Sequence, residues 1–466
     1  MHIAHELIDQ DADNVVRRLS QSGFQAYLVG GCVRDLLLNR NPKDFDVSSS
    51  ATPTEIKHLF RNCRIIGRRF RLAHIFFGSK IIETATFRAN PRAKSDGDAE
   101  LLIHRDNVWG TDIEDALRRD FTINGLFYDV EEEVVIDHVD GMADLRKRLI
   151  RTIGEPGIRF QEDPVRMLRA IKFAARLGFS VEDATYRAIL LHRADISKCS
   201  QPRVLEELYR LLRGGAARRS IELLSDTGII SILSHHLASL YQARTDRSVD
   251  QEASLGAQKA KGKASDESEW AATWDGKATA AKTDDSLLDE RLPPFVPSFV
   301  GDENNSQARM ELAWNLLGQL DRLVAEERET SNALALAAMV AAFVVPELLD
   351  DEIRPSDASD MVTEVLQPLI SEIGIARRDA EQTRQILLAQ KRLAPSQKRR
   401  GKPMALVGRE HFDEALVLYE IMAAARGEVA ADLDVWKSLQ AEAGGGRDSG
   451  RPERKRRRGG RRRSRP

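Results

Sequence analysis

The stretch "YLVGGCVRDLLLNRNPKDFDV", residues 27–47, decides the fold of this chain. It starts with an apolar run typical of a buried strand, passes through Gly30 and Gly31, and continues with the spacing of a helix. A glycine pair at such a place lets the backbone approach a phosphate closely, and the helix N-terminus offers free N–H groups. The turn has neither the Walker nor the Rossmann spacing, so a turn that only permits tight packing is the competing interpretation.

The same stretch ends with two acids, Asp44 and Asp46, on either side of Phe45. On a strand the two carboxylates point to the same side, and Phe45 is expected to turn into the core. Adjacent carboxylates repel each other unless a cation lies between them, and Mg²⁺ favours a few carboxylates together with phosphate oxygens. Because the glycine turn lies just upstream, the pair predicts a site for Mg²⁺ and a nucleotide, as in two-metal nucleotidyl transfer. A solvated surface turn is the alternative.

Such chemistry normally uses a third acid, and the sequence offers two candidates. Glu83, in "KIIETATFR", is expected to end an apolar strand, where many acids are simply solvated. Asp120, in "LRRDFTINGLFY", lies between two arginines and an apolar helix, where capping that helix at Thr122 and Ile123 would also explain it. The pattern alone leaves both candidates open.

The motif "RRDFTIN", residues 118–124, carries polar side chains at helical spacing. Asp120 and Asn124 are four positions apart and are predicted to share one helix face. A carboxylate beside an amide can hold ribose hydroxyls, and a neighbouring arginine such as Arg119 can hold phosphate. A capped helix with a surface ion pair is the alternative.

The motif "QEDPVRMLRAIKFAARLGF", residues 161–179, repeats this pattern on the next predicted helix. Acceptors and donors fixed on one face can read the hydrogen-bonding edge of a base. Intrahelical salt bridges explain the same spacing equally simply. The residues that the spacing groups together are Glu162, Asp163, Arg166, Arg169 and Phe173.

The 466 residues predict two to four domains of α+β class, with a mixed α/β head followed by an all-helical part. Three scattered cysteines suit a reducing compartment, the N-terminus lacks the pattern of a secretory signal, and the apolar run 333–345 is too short to span a bilayer, so a cytoplasmic protein with a buried helix there is expected. The predicted regions are a catalytic head (1–150), a helical neck with the base-selecting helix and an RNA-binding region (151–242), a disordered insertion (243–290), a C-terminal helical domain (291–442) and a disordered basic tail (443–466).

The motifs "LVGGCVRDLLL…PKDFDV…TP", "RRDFTINGLFYD" and "EDPVRMLRAIKFAARLG" occur in this order, and with them the chain resembles the class II nucleotidyltransferases, the group of bacterial poly(A) polymerases and CCA-adding enzymes in the polymerase-β superfamily. The resemblance covers roughly residues 20–235 and implies a two-metal Mg²⁺ site and ATP as substrate. It implies that Asp44 and Asp46 bind the metals and that Asp120 belongs with the catalytic acids, ahead of Glu83. The nucleotide-binding residues that it implies are Gly30, Gly31, Arg34, Asp35, Arg119, Asn124, Glu162, Asp163, Arg166 and Arg169.

The segment "GRRFRLAH", residues 67–74, resembles the poly(A) polymerase branch in particular. Its arginines Arg68, Arg69 and Arg71 concentrate positive charge beside the predicted site and are candidates for binding RNA, although a solvated basic face is the alternative. The last sixteen residues contain ten Lys or Arg and one acid, which would raise the rate of RNA encounter without sequence preference. Solubilising charge is the other explanation.

The sequence therefore predicts template-independent polyadenylation of RNA 3′ ends, with a role in RNA processing and turnover and with RNA-decay proteins as partners. Two other functions are kept as alternatives. One is a CCA-adding tRNA nucleotidyltransferase, which uses the same chemistry. The other is an inactive RNA-binding homologue, which is disfavoured because every acid of the motifs is present.

Overall fold

The computed structural model describes residues 3–67, 71–89, 108–241, 303–394 and 403–445. The chain divides into two compact units, one made of Met1–Asp302 with Ser371–Gly374 and the other of Glu303–Ile370 with Ile375–Pro466. All strands of the described residues belong to the first unit. The predicted α+β class, a mixed head followed by a helical part, is confirmed.

The first unit alternates strands and short helices before it becomes helical. Its strands are β1 (Ala26–Val29), β2 (Asp46–Ser49), β3 (Cys63–Ile66), β4 (Leu72–Phe77), β5 (Lys80–Thr86), β6 (Leu126–Asp129), β7 (Val134–Asp137), β8 (Leu149–Ile150) and β9 (Ser180–Val181). Its α-helices are α1 (Gln10–Gln21), α2 (Gly31–Leu37), α3 (Pro53–Leu59), α4 (Asp112–Arg118), α5 (Gly141–Lys147), α6 (Pro156–Glu162), α7 (Val165–Leu177), α8 (Asp183–His192), α9 (Gln201–Leu212), α10 (Ala217–Asp226), α11 (Ile229–Leu233) and α12 (His235–Tyr241).

Seven strands form one sheet in the order β3-β4-β5-β2-β1-β6-β7. The pair β2–β5 is parallel, whereas the neighbours β1–β2, β1–β6, β3–β4, β4–β5 and β6–β7 are antiparallel. A buried cluster of aliphatic and aromatic side chains brings together β1, β6, α4 and the residue after β5. Its buried members are Val29, Phe87, Ala116 and Phe127.

Local sequence explains several element boundaries. Helix α3 begins with a capping box, in which Thr52 and Glu55 each satisfy a backbone N–H of the other and Pro53 occupies the first turn. Helix α7 ends at Gly178, whose φ of 69° lies in the left-handed region that favours glycine. Both boundaries therefore follow from local sequence.

The second unit is helical in its described residues. Its helices are α13 (Glu303–Ala325), α14 (Asn332–Val340), α15 (Val345–Leu348), α16 (Pro355–Ile373), α17 (Arg377–Leu393), α18 (Pro403–Val407), α19 (Phe412–Ala425) and α20 (Leu433–Gly445). The apolar run 333–345 is buried as predicted, although it breaks into α14, a 3-10 turn and the start of α15. Within the described parts of the chain, no helix combines the length and the apolar character that crossing a membrane requires.

Three local predictions were wrong. Strand β2 begins at Asp46, so Asp44 precedes the strand and Phe45 is half-buried instead of turning into the core. Asp120 lies outside any helix, because α4 ends at Arg118 and only a 3-10 turn, Thr122–Asn124, follows. Glu83 lies in the middle of β5, not at its end.

The predicted helix around "EDPVR" also starts later than its spacing suggested. Asp163 has an extended backbone with φ of −152° and separates two helices, so Glu162 ends α6 while Arg166 lies in the first turn of α7. A proline makes helical geometry unfavourable for the residue that precedes it, which explains the break at Asp163.

Candidate active site

A polar cavity of about 580 Å³ lies in the first unit where β1, β2, the turn after Arg118 and helix α7 converge. It gathers most of the residues that the three motifs singled out. The predicted residues that line it are Gly30, Gly31, Arg34, Asp35, Asp44, Asp46, Arg119, Asp120, Asn124, Asp163, Arg166 and Arg169.

The glycine turn forms the edge of this cavity. Gly30 has a φ of 74° and caps α2, and its N–H donates to the carbonyl oxygen of Leu126 on β6 at 3.0 Å. A Cβ atom at this position would lie 3.0 Å from Nη1 of Arg119. The backbone conformation therefore favours glycine, and a Cβ atom would in addition require the guanidinium of Arg119 to shift.

The two acids of the predicted metal site differ in environment. Asp44 is exposed, whereas Asp46 is half-buried at the start of β2, in register with Val29 on β1 and Glu83 on β5. Burial, the nearby Glu83 and Asp44 raise the pKa of Asp46 to about 6, although Arg119 opposes the shift. Asp46 is therefore a carboxylate that a cation would stabilise.

The two candidates for a third acid have different partners. The side chain of Glu83 is 50% exposed and lies 3.5 Å from Nε2 of His74, outside the set of cavity-lining residues. Asp120 is buried in the cavity wall and forms an ion pair with Arg169 at 2.5 Å. Burial alone would raise the pKa of Asp120, but Arg169 and hydrogen bonds from Asn124 and the Phe121 backbone hold it below its ordinary value.

A buried chain of polar contacts connects the glycine turn with the segment after α4. Nη1 of Arg34 donates to Oδ1 of Asn124 at 2.6 Å, and Nδ2 of Asn124 donates to Oδ1 of Asp120 at 3.0 Å. Nε of Arg34 donates to Oδ1 of Asp35 at 2.8 Å. Asp120 continues the chain to Arg169, so α2, the 3-10 turn and α7 are held in one arrangement. Buried polar groups of this kind are stable only when each is paired.

Two neighbouring arginines supply positive charge beside the acids. Arg119 donates to Oδ2 of Asp115 at 3.0 Å and to Oγ of Ser48 at 3.3 Å, and its guanidinium lies 5.0 Å from the ring centroid of Phe127. Burial, together with the surrounding arginines, lowers the pKa of Arg118 to about 10. An anion entering the cavity would relieve this crowding of cations.

The residues predicted to select a base are engaged with one another. Nη1 of Arg166 donates to Oε2 of Glu162 at 2.9 Å, and the same oxygen accepts from Arg159 at 2.8 Å. Glu162 is absent from the cavity-lining residues, whereas Asp163 and Arg166 line it. Asp163 accepts two hydrogen bonds from Arg203, at 2.8 and 3.0 Å. The salt bridge between Glu162 and Arg166 joins two helices, because α6 ends at Glu162.

Six residues outside the predicted nucleotide-binding and metal-binding set also line the cavity, although the helical spacing already grouped one of them, Phe173, with Arg166 and Arg169. Two of them continue a visible pattern, because Phe173 and Arg176 follow Arg166 and Arg169 on one face of α7 at helical spacing. Of the other four, Cys32, Lys43 and Arg118 are direct neighbours in sequence of predicted site residues. Only Arg210, among these six, reaches the cavity through chain packing that no local pattern reveals.

The candidate RNA-binding arginines are only partly described. Arg68 and Arg69 lie outside the described residues. Arg71 is exposed immediately before β4 and is not among the residues that line the cavity. The predicted insertion at 243–290 and nearly all of the basic tail also lie outside the described residues.

The donor set at the acids fits Mg²⁺ bound together with a nucleotide. Among residues 3–67, 71–89, 108–241, 303–394 and 403–445, no group of three or more His, Cys, Asp or Glu side chains is arranged to hold a metal ion. Mg²⁺, however, is commonly held by one or two carboxylates while phosphates and waters complete its shell. Asp44 and Asp46 offer those oxygens beside a cationic cavity, and the raised pKa of Asp46 marks the carboxylate whose charge lacks compensation.

Three family models match successive parts of the chain. Residues 26–151 match the Poly A polymerase head domain, residues 178–240 match the "Probable RNA and SrmB- binding site of polymerase A", and residues 353–466 match the "Polymerase A arginine-rich C-terminus". The fold and the site thus agree with the match of residues 26–151 to the Poly A polymerase head domain. The predicted resemblance is confirmed.

Particular relatives make the comparison more specific. Poly(A) polymerase I of Escherichia coli O6:H1 is 46% identical over 230 residues, which cover 48% of this chain and 50% of that protein. A CCA-adding enzyme of Lactobacillus gasseri is 37% identical over 215 residues, covering 46% of this chain and 53% of that protein. The chain spans about half the length of the curated relatives it matches. A solved tRNA-processing enzyme in its apo form I shares the fold, with a TM-score of 0.52, 19% identity, and coverage of 96% of this chain and 97% of that one.

Proposed function

We propose that this chain is a template-independent RNA nucleotidyltransferase that transfers AMP from ATP to RNA 3′ ends and releases pyrophosphate. The observation that carries the proposal is the cavity in which Asp44 and Asp46 stand beside Arg118 and Arg119. The higher identity to a poly(A) polymerase I, 46% against 37% for a CCA-adding enzyme, supports adenylate as the group transferred.

In the proposed reaction the 3′ oxygen of RNA forms a bond to the α-phosphorus of ATP, and the bond from that phosphorus to the bridging oxygen of pyrophosphate breaks. Arg118 and Arg119 bind the triphosphate beside the glycine turn. Asp120 and Asn124 form the part of the cavity wall that lies next to the ribose. Such a site accelerates the reaction mainly through positioning and electrostatic stabilisation, so no covalent intermediate is required.

Mg²⁺ held by Asp44 and Asp46 would supply a lowered pKa for the attacking hydroxyl and neutralise charge on the leaving pyrophosphate. Asp44 and Asp46 add negative charge to a cavity whose other charged residues are mostly arginines, which restricts where a cation and its phosphates can lie. We place Asp120 with the catalytic acids because it lies in the cavity wall, whereas Glu83 is half exposed on β5.

Selection of adenine is assigned to Asp163 and Arg166, which line the cavity. Glu162 accepts a hydrogen bond from Arg166 and so fixes its side chain. Glycine turn residues Gly30 and Gly31 admit the phosphates. We further propose that Arg34, Asp35 and Arg169 position these groups through the buried polar chain, and that Arg68, Arg69 and Arg71 contribute RNA affinity. The proposed setting is RNA processing and turnover in the cytoplasm, together with RNA-decay proteins.

The test is to incubate the purified protein with Mg²⁺, one generic RNA primer and each NTP separately. We expect a ladder of extended products with ATP alone, and we expect Asp44→Ala to lose it. Asp183→Ala, an exposed acid at the start of α8, is the matched control and should retain it. Extension that survives Asp44→Ala would refute the assignment of the acids.

The same experiment separates the two alternatives. A CCA-adding enzyme would incorporate both CTP and ATP on a tRNA that lacks its end and would stop after completing it. An inactive RNA-binding homologue would bind the primer and extend it with none of the four nucleotides. The tRNA arm is necessary because a CCA-adding enzyme is 37% identical to this chain over 215 residues.

A further inference from the structure

A buried acid on α9 joins two helices next to the cavity. Glu207 is almost completely buried on a helix whose neighbouring positions Leu208 and Leu211 are apolar. Its Oε2 accepts from Nζ of Lys172 on α7 at 2.7 Å, and its Oε1 accepts from Arg210, one turn further along α9, at 3.2 Å. A buried carboxylate is tolerated only when it is paired in this way.

Lys172 already compensates the charge of Glu207. Its ammonium is largely buried and lies 5.1 Å from the ring centroid of Phe173, a residue of the cavity wall. Burial lowers the pKa of Lys172, although Glu207 opposes this shift. The pair is therefore close to neutral, and Arg210 is the cation that remains beside it.

Arg210 reaches the cavity from a direction that the predicted site residues do not cover. Among the described residues that line the cavity, it is the only one contributed by α9. Its side chain is 51% exposed, and its second partner, Glu206, is 52% exposed, so their mutual attraction is weakened by solvent. The segment that contains it, residues 178–240, is the one matched by the model described as an RNA-binding site.

We infer that Arg210 binds a phosphodiester of the RNA strand near its 3′ end, and that Glu207 is a positioning residue that fixes the guanidinium toward the cavity. This inference rests on the proposed function, because it assigns the RNA to the α9 side of the site. The ATP phosphates are assigned to Arg118 and Arg119, which lie at the end of α4. Arg210, on α9, is therefore assigned to the second substrate, RNA.

The first experiment measures RNA and ATP separately for Arg210→Ala. We expect KM for RNA to rise about tenfold, as for loss of a hydrogen bond to a charged group, while KM for ATP stays unchanged. The slope of log Kd for RNA against log salt should fall by about 0.7, the contribution of one phosphate contact on a single strand. Arg219→Ala is the control, because Arg219 is equally exposed in the same segment and pairs with Glu222 away from the cavity.

The second experiment separates positioning from folding at Glu207. Glu207→Leu removes the acceptor of both Lys172 and Arg210 and lowers stability, so the double variant Glu207→Leu with Lys172→Met removes both buried charges together. If Glu207 positions Arg210, both the single and the double variant raise KM for RNA, and only stability is regained in the double variant. If Glu207 is only structural, the double variant returns to the unaltered KM for RNA, and this part of the inference fails.

The binding measurement distinguishes failure of this inference from failure of the proposed function. Kd for RNA is measured without ATP, so it reports on Arg210 even if the unaltered protein extends no primer. A change confined to KM for ATP would assign Arg210 to the triphosphate and overturn the inference. Equal Kd for RNA in Arg210→Ala and Arg219→Ala would overturn it as well.

Discussion

At the scale of single residues, the charge of Asp46 depends on what enters the site. Burial, Glu83 and Asp44 together raise its pKa to about 6. An acid whose folded pKa exceeds its unfolded value destabilises the fold when it is ionised. This destabilisation is fully present above about pH 6 and disappears as the pH falls toward 4.

We therefore expect Asp46→Asn to stabilise the metal-free protein at pH 8 while it abolishes nucleotide incorporation. The gain in the free energy of unfolding should vanish as the pH falls through 6 toward 4, because Asp46 then becomes neutral in the unaltered protein too. Urea unfolding at pH 8 and pH 4.5 in a chelating buffer measures it. Asp183→Asn, the exposed control, should show no such gain, and a loss of stability at pH 8 would contradict the prediction.

Asn124 faces a cation on one side and an anion on the other. Its carbonyl accepts from Arg34 and its amide nitrogen donates to Asp120, and all three residues are buried. Asn124→Ala leaves both charged neighbours short of a partner, so we expect a loss of about 2 kcal/mol in the free energy of unfolding.

Denaturant unfolding of Asn124→Ala beside Asn62→Ala tests this expectation. Asn62 is exposed and donates to the carbonyl of Phe76, so its loss should cost well under 1 kcal/mol. Asn124→Asp is the informative third variant, because it keeps the acceptor for Arg34 but brings a carboxylate against Asp120. Similar small losses for Asn62→Ala and Asn124→Ala would show that the polar chain contributes little.

At the scale of elements, the passage from β1 to α2 depends on the glycine at the junction. Gly30→Ala introduces a Cβ at a residue with a positive φ of 74°, and this atom would lie 3.0 Å from Nη1 of Arg119. We expect it to lose about 1–2 kcal/mol of stability through backbone strain and to lose nucleotide incorporation as Arg119 is displaced. Gly78→Ala is the control, since Gly78 also has a positive φ, in the β4–β5 turn, but a Cβ there meets nothing within 4 Å. Thermal unfolding together with primer extension should show strain in both and loss of activity in Gly30→Ala alone.

The elements themselves were largely predictable, whereas their partners were not. The strand, glycine turn and helix at residues 26–37 follow from hydrophobic spacing, and the start of α3 follows from the Thr52 capping pattern, because these are local effects. Helical spacing failed at Asp120, which lies outside any helix and pairs with Arg169, and at Asp163, which has an extended backbone and pairs with Arg203. The approach of Arg210 to the cavity depends on how α9 packs beside α7, which no local pattern encodes.

At the scale of the whole molecule, charge is distributed very unevenly along the chain. The formal net charge is −2, yet the last sixteen residues alone hold ten Lys or Arg. We expect deletion of residues 451–466 to weaken RNA binding at low salt and to flatten its salt dependence, while KM for ATP stays the same. Fluorescence anisotropy with labelled RNA checks this. The salt range is about 50 to 300 mM, in which counterion release is readily measured. An unchanged salt slope would leave solubility as the role of the tail.

The strand order of the large sheet also governs when the site comes into existence. The hairpins β4–β5 and β6–β7 join segments adjacent in sequence, but Asp46 meets Glu83 only through the parallel pair β2–β5, and β1 meets β6 across about one hundred residues. Contacts between distant segments close late in folding because of the loop entropy they require. We therefore expect the acids to assemble after the hairpins, so that a chain whose sheet is only partly formed lacks the charged centre that nucleotides would need.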